Sequence, residues 1–177
     1  MKKTVVLLLS FLLIMSLFVS CTEEPKKPVA DEETVYSVSI NTAQWLLVLS
    51  KQIESIASGE DPQQIEEDLS TRLSRVSGQV EADSKNLSVS LSSNGQSVSA
   101  HFYNITLSSE TGEVSGYYIL SGILEIEDQI TNLTVMSKFT FDDENYTITC
   151  LNVTVDDVSY DVNAFNEALK EGIPTYG

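Results

Sequence analysis

Two periods of apolar residues divide the chain, and the change from one to the other predicts its architecture. Val35, Val38, Thr42, Trp45, Leu49, Gln52 and Ile56 recur every three or four positions, with Leu46 and Ile53 on the shoulder of the stripe. That spacing lines one face of an α-helix over about residues 31–57. Its first turn, Asp31-Glu32-Glu33, suits the positive end of a helix dipole, and Gly59 supplies a stop. Asp61-Pro62 then offers a cap and a first-turn proline for a second helix over 62–76, carried by Ile65, Leu69, Leu73 and Val76 and closed by Gly78. The short connection predicts an antiparallel helical hairpin.

From Val80 onward the period falls to two. Strands are expected at 86–91, 97–107, 116–127, 130–141, 146–155 and 158–162. Turn-forming residues separate them at Ser93-Asn94-Gly95, Ser109–Glu113, Asp128, Asp142–Asn145 and Asp156-Asp157. Asn163 is placed to cap a last helix over 164–170, ended by Gly172 and Pro174. The expected class is α+β: an N-terminal helical hairpin packed on a curved antiparallel meander of about six strands, with a short C-terminal helix.

Four strands share the form Asn-apolar-hydroxyl-apolar, beginning at Asn86, Asn104, Asn132 and Asn152. Their spacings of 18, 28 and 20 residues are too irregular for a solenoid, so the physical content is alternation, apolar pairs inward and Asn, Ser and Thr toward solvent. The strand at 116–127 departs from this pattern. Tyr117, Ile119 and Ile123 point one way, and Tyr118, Leu120, Leu124 and Ile126 the other. A strand apolar on both faces calls for cover on both. Helices cover one; the other needs a curled sheet, a partner or an apolar ligand. Gly116 and Gly122 in the same strand mark places where the sheet bends or admits a close approach. Trp45, Leu49, Tyr117, Ile119 and Ile123 are therefore the candidate apolar ligand or docking face.

The N-terminus carries a different signal. Lys2 and Lys3 precede an uncharged run from Thr4 to Ser20, the build of a secretory signal peptide. At about 1.5 Å per residue the run reaches roughly 25 Å, short of a hydrocarbon core of about 30 Å. It ends in Leu17-Phe18-Val19-Ser20-Cys21, which resembles the lipobox of bacterial lipoproteins. The resemblance implies diacylglyceryl transfer to the Cys21 thiol, cleavage after Ser20, and a protein lipid-anchored to the cell membrane or outer membrane of a bacterium, its domain facing the periplasm or the cell surface. Thr22 after the cysteine resembles the outer-membrane sorting pattern. Residues 1–20 are thus read as signal peptide, 21–30 as lipidated cysteine and Pro- and Lys-bearing flexible tether, and 31–177 as a single domain.

Charge and chemistry narrow the function. The chain carries 26 acidic against 10 basic side chains, a net charge of −16, and losing Lys2 and Lys3 with the signal peptide brings it to −18. Such a surface repels phosphate backbones, so nucleic acid is not an expected partner. Of two cysteines Cys21 is committed to lipid, which leaves Cys150 as a small buried hydrophobe with no disulfide mate. The one histidine, His101, lies in a strand without a marked serine beside it, and no zinc, P-loop or hydrolase motif is present. The acidic turns lack the spacing of a calcium loop. No cofactor, metal or catalytic residue is expected. The expectation is a non-catalytic binding lipoprotein, sequestering a lipid or other apolar ligand; the alternative is an envelope protein that docks another through a sheet edge or apolar patch.

Overall fold

The computed structural model describes residues 26–74, 77–93, 96–126, 129–142 and 144–170. The signal segment, Cys21, the Asn94-Gly95 and Asp128 turn residues, Val76, Gly172 and Pro174 lie outside the described residues.

Helix α1 runs Glu32–Ala57. Asp31 caps it, its carboxylate accepting from Thr34 N–H at 2.8 Å. It ends as the sequence implies: Gly59 adopts φ +81°, Glu60 N–H reaches Ser55 C=O and Gly59 N–H reaches Ile56 C=O, the paired bonds of a Schellman stop. Asp61 caps helix α2, Pro62–Leu73, through Gln63 N–H. A last helix, α3, spans Asn163–Lys170. It starts one residue earlier than expected, because Asp161 takes the capping bond from Asn163 N–H at 2.8 Å.

Seven strands form one open antiparallel sheet in sequence order: β1 Ser77–Ala82, β2 Leu87–Ser93, β3 Gln96–Leu107, β4 Val114–Ile126, β5 Gln129–Phe141, β6 Tyr146–Val155 and β7 Val158–Tyr160. The class is α+β, but the strand count exceeds the expected six. The additional strand is β1, whose inward residues are only Gly78, Val80 and Ala82, too weak an alternation to be separated from the preceding helix by pattern alone. β7 is shorter than expected because Asp161 leaves the ladder to cap α3. The β6–β7 turn places Asp156 and Asp157 at φ +46° and +65°, the type I′ geometry that suits strand twist.

The helices share one face of the sheet. α1 crosses β3 and β4, α2 lies along β1, and α3 packs on α1 and β6. α1 and α2 touch each other little, so the expected hairpin is splayed, with an open groove of about 590 Å³ between Lys51, Gln52 and Ser55 on one side and Gln64, Asp68 and Arg72 on the other. The core under α1 is solid: Leu46, Leu49 and Ile53 join Phe102, Tyr118, Leu120 and Phe139 in one buried cluster. The Phe102, Tyr118 and Phe139 rings pack at centroid distances of 5.0–6.0 Å. Tyr118 is fully buried, and its hydroxyl donates to Thr42 C=O at 2.8 Å.

The two strand glycines behave as the sequence suggests. A Cβ at Gly116 would stand 2.9 Å from the Phe139 ring. At Gly122 the backbone itself is the obstacle, since a Cβ there would meet Val98 Cα at 2.5 Å, and φ is +147°. The Asn-apolar-hydroxyl repeats also resolve into sheet alternation. Leu87, Val89, Ile105, Leu133, Val135, Val153 and Val155 are buried, while Leu107 stays exposed. On the opposite face hydroxyls pair across strands, Ser99 with Ser121 at 3.0 Å and Thr154 with Ser159 at 3.2 Å.

The β6 edge needs a special device. A bulge opposite Met136 and Ser137 displaces Leu151, and β7 pairs only with Val153–Val155. Asn166 on α3 completes the strand, its amide oxygen accepting from Cys150 N–H at 2.7 Å and its amide nitrogen donating to Cys150 C=O at 3.2 Å. Asn166→Ala leaves both groups unpaired, so we expect a loss of about 1–3 kcal/mol in urea unfolding, with rapid amide exchange at Cys150.

Candidate functional site

The five candidate residues do not converge on one surface. Leu49 is 3 % exposed and belongs to the core beneath α1. Tyr117 and Ile119 lie on the sheet face away from α1, because their alternation partners Tyr118 and Leu120 occupy the inner face. Trp45 is half-buried on the flank of α1: the buried stripe is centred on Thr42, Leu46, Leu49 and Ile53, one position round from the expected centre. Ile123, also half-buried, pairs with Asn132 near the end of the sheet.

Two of the five nevertheless border adjoining grooves. Gln44, Trp45, Val48 and Leu91 line an open, mainly apolar groove of about 210 Å³. Leu91 is shared with a second, about 230 Å³, formed with Val98, Ile123 and the polar residues Ser92, Ser93, Gln96 and Ser97. Val48 is 72 % exposed, so an uncharged apolar rim stands in solvent beside Trp45. Val48 and Leu91 escape a helix-stripe search, since Val48 sits off the stripe and Leu91 ends an otherwise buried strand row. Both grooves are open, and the first lies where Gln44, Trp45 and Val48 of α1 meet Leu91 of β2.

The far face carries an aromatic row. His101 stacks on Tyr103 and Tyr103 on Tyr117, each with centroids 5.6 Å apart. The rings are near-parallel, at interplanar angles of 14° and 21°, so each neighbour covers part of the next ring's surface. The sequence marks no serine for His101, yet the β2–β3 register places Ser88 Oγ 2.6 Å from His101 Nδ1. Strand N–H groups lie in the plane of the ladder, so none points above the sheet at the position of an oxyanion over Ser88. The pair reads as a cross-strand hydrogen bond.

Cys150 is 2 % exposed and follows Tyr118 and Ser137 in a row across three strands, with Ser137 Oγ 3.7 Å from its sulfur. Burial pushes its thiol up to about 11, so it is protonated and unreactive at neutral pH. Burial likewise raises the Tyr118 hydroxyl well above its ordinary value. Among the described residues no three His, Cys, Asp or Glu side chains gather as metal ligands, and no helix is long and apolar enough to cross a membrane.

Asp142 and Asp83 brace their own turns. Asp142 accepts from Glu144 and Asn145 N–H, Asp83 from the Asn86 amide and Lys85 N–H, and these bonds hold each carboxyl below its ordinary value, as the Thr34 bonds do for Asp31. A carboxyl depressed in the folded state takes up its proton first in the unfolded chain. Its stabilisation is complete above about pH 4 and fades as pH falls below it. In high salt, where overall charge repulsion is screened, the triple change Asp31→Asn, Asp83→Asn, Asp142→Asn should flatten the decline in stability between about pH 4 and pH 2.

Searches with the sequence and the structure matched no protein-family model, no curated relative and no solved structure.

Proposed function

We propose that the chain is a bacterial lipoprotein held by acyl chains on Cys21, and that its domain docks another envelope protein without catalysis. The observation that carries the docking reading is the apolar rim of exposed Val48 with half-buried Trp45 and Leu91, the last on the strand next to the β1 edge of an open sheet. Beneath α1, Leu46, Leu49 and Ile53 join Phe102, Tyr118 and Phe139 of the sheet in one buried cluster, which favours docking over the enclosed chamber of about 300 Å³ or more that a carrier needs. The acidic surface disfavours a second copy as occupant and favours a partner whose contact face is basic around an apolar centre.

Attachment at Cys21 also brings the domain close to the bilayer. Pro28 C=O accepts from Asp161 N–H at 2.9 Å, so the chain is already tied to the fold there. Six residues lie between Cys21 and Pro28, and the seven Cα steps span at most about 25 Å when extended.

A photo-crosslinking amino acid at Val48 in the full-length chain, expressed in bacterial cells, tests the docking reading. It should yield one discrete protein adduct, which the same probe at exposed Thr147 does not form and which Leu91→Asp removes. A stoichiometric lipid released from the purified chain, with no adduct at Val48, would establish the carrier instead.

A further inference from the structure

We propose that β1 is a free edge to which the partner adds an extended strand, and that this strand carries an apolar side chain and, four residues away on the same face, a lysine or arginine. The inference rests on the docking reading above and supplies the partner's chemistry. It starts from the parity of the β1–β2 ladder. Asp83 N–H donates to Asn86 C=O at 3.0 Å, which makes the adjoining couple Ala82–Leu87 a non-hydrogen-bonded pair. Alternation then turns the N–H and C=O groups of Ala82, Val80 and Gly78 away from β2. One of these groups is engaged: Ala82 N–H donates to the Glu66 carboxylate at 2.5 Å. Among the described residues the outward groups of Gly78 and Val80 have no protein partner. The opposite edge is broken by the Leu151 bulge and occupied at Cys150 by Asn166, so β1 is the longer continuous edge.

α2 gives this edge a side wall. It runs antiparallel to β1, with Leu73 over Gly78, where Leu73 Cβ stands 3.1 Å from the position of a Gly78 Cβ, and with Glu66 over Ala82. Glu66, Ser70 and Leu73 follow one flank at helical spacing, whereas Gln64, Asp68, Thr71 and Arg72 line the groove toward α1. The flank above the free edge therefore ends in a leucine at one side and a carboxylate at the other. An added strand places alternate side chains under that flank. Gly78 and Ala82 lie four residues, about 13 Å, apart along the strand, which sets the spacing between the partner's apolar and basic residues. Among the described residues here, Glu67, Asp68, Glu81 and Asp83 outnumber Arg72 and Lys85, and the whole chain carries a net charge of −16, so a second copy of this chain would bring like charge to like charge.

The test uses the full chain in detergent micelles with the synthetic peptide Thr-Leu-Thr-Val-Thr-Lys-Thr-Val-Thr and its counterpart bearing Glu for Lys. The lysine peptide should slow amide exchange at Gly78 and Val80 by about tenfold, and the glutamate peptide far less. Val80→Pro removes an outward N–H without touching the β1–β2 bonds and should abolish the protection at Gly78, with unchanged circular dichroism showing that the sheet persists. Glu66→Lys should reverse the preference between the peptides. Equal protection by both peptides, no protection at Gly78 and Val80, or protection that survives Val80→Pro would overturn the strand-addition proposal. Protection that grows with protein concentration in the absence of peptide would assign the edge to a second copy and overturn it equally. If the Val48 adduct survives Val80→Pro, docking stands and the added strand falls. If the peptides behave as expected but no adduct forms at Val48, the docking reading fails while the edge chemistry holds.

Discussion

Gly122→Ala is expected to destabilise the chain by about 3 kcal/mol or more, enough to leave much of it unfolded at 37 °C. Two effects act together. A φ of +147° is open to glycine and strained for any L side chain. The added methyl would also meet Val98 Cα at 2.5 Å and press on the Ser97 carbonyl. Both belong to the backbone of the neighbouring strand β3, so no rotamer change relieves the overlap; the β3–β4 ladder must part where Val98 pairs with Gly122. Gly59→Ala supplies the comparison, for Gly59 has φ +81° with open space around it. There only the left-handed backbone is penalised, by about 1–2 kcal/mol. Urea unfolding of the two variants separates steric overlap from φ strain, and equal midpoints would remove close approach as the reason for glycine at 122.

Palmitate incorporation is expected to be all or none at Cys21. Thioether formation needs an accessible thiol, and the chain has two cysteines. Cys150 is buried, with its thiol pushed up to about 11 and its backbone held by Asn166. Labelled palmitate fed to cells expressing the full chain should therefore disappear from Cys21→Ala and stay undiminished in Cys150→Ser. Two or more acyl chains, at about 0.8 kcal/mol per buried methylene, hold a protein on a bilayer where a single chain gives only reversible binding. Label that persists in Cys21→Ala would remove the lipoprotein reading and the short-tether geometry with it.

How far the sequence could be read depended on how strongly each residue's neighbours in the chain constrain it. The Gly59 stop, the Asp61 cap, the Asp156-Asp157 turn and the inward rows of β2, β5 and β6 are local in origin, and they stand where the pattern puts them; Asp31, expected in the first helical turn, instead caps the helix, and Leu107 of β3 stays exposed. β1 was not legible: Gly78, Val80 and Ala82 bury too little apolar surface to mark a strand, and it forms because it pairs with β2 and packs against α2. The candidate site was legible only in fragments. Trp45 and Ile123 reach adjoining grooves, but Val48 and Leu91, which complete the apolar rim, look in sequence like an ordinary helix residue and an ordinary strand residue. The Ser88–His101 pair was equally hidden, since only register brings positions 13 apart together.

By itself the sequence determined the α+β class, the alternation that makes one sheet face apolar, the acidic surface and a lipobox-like Cys21. These follow from periodicity, formal charge and short motifs, which act over a few residues and need no knowledge of the rest of the fold. The tertiary structure alone decided which face of the 116–127 strand α1 would cover, that Leu49 would belong to the core while Tyr117 and Ile119 face away from it, and that β1 would be the edge left unpaired. Those outcomes depend on strand register and on where three helices settle on one sheet, and contacts between residues distant in the chain set both.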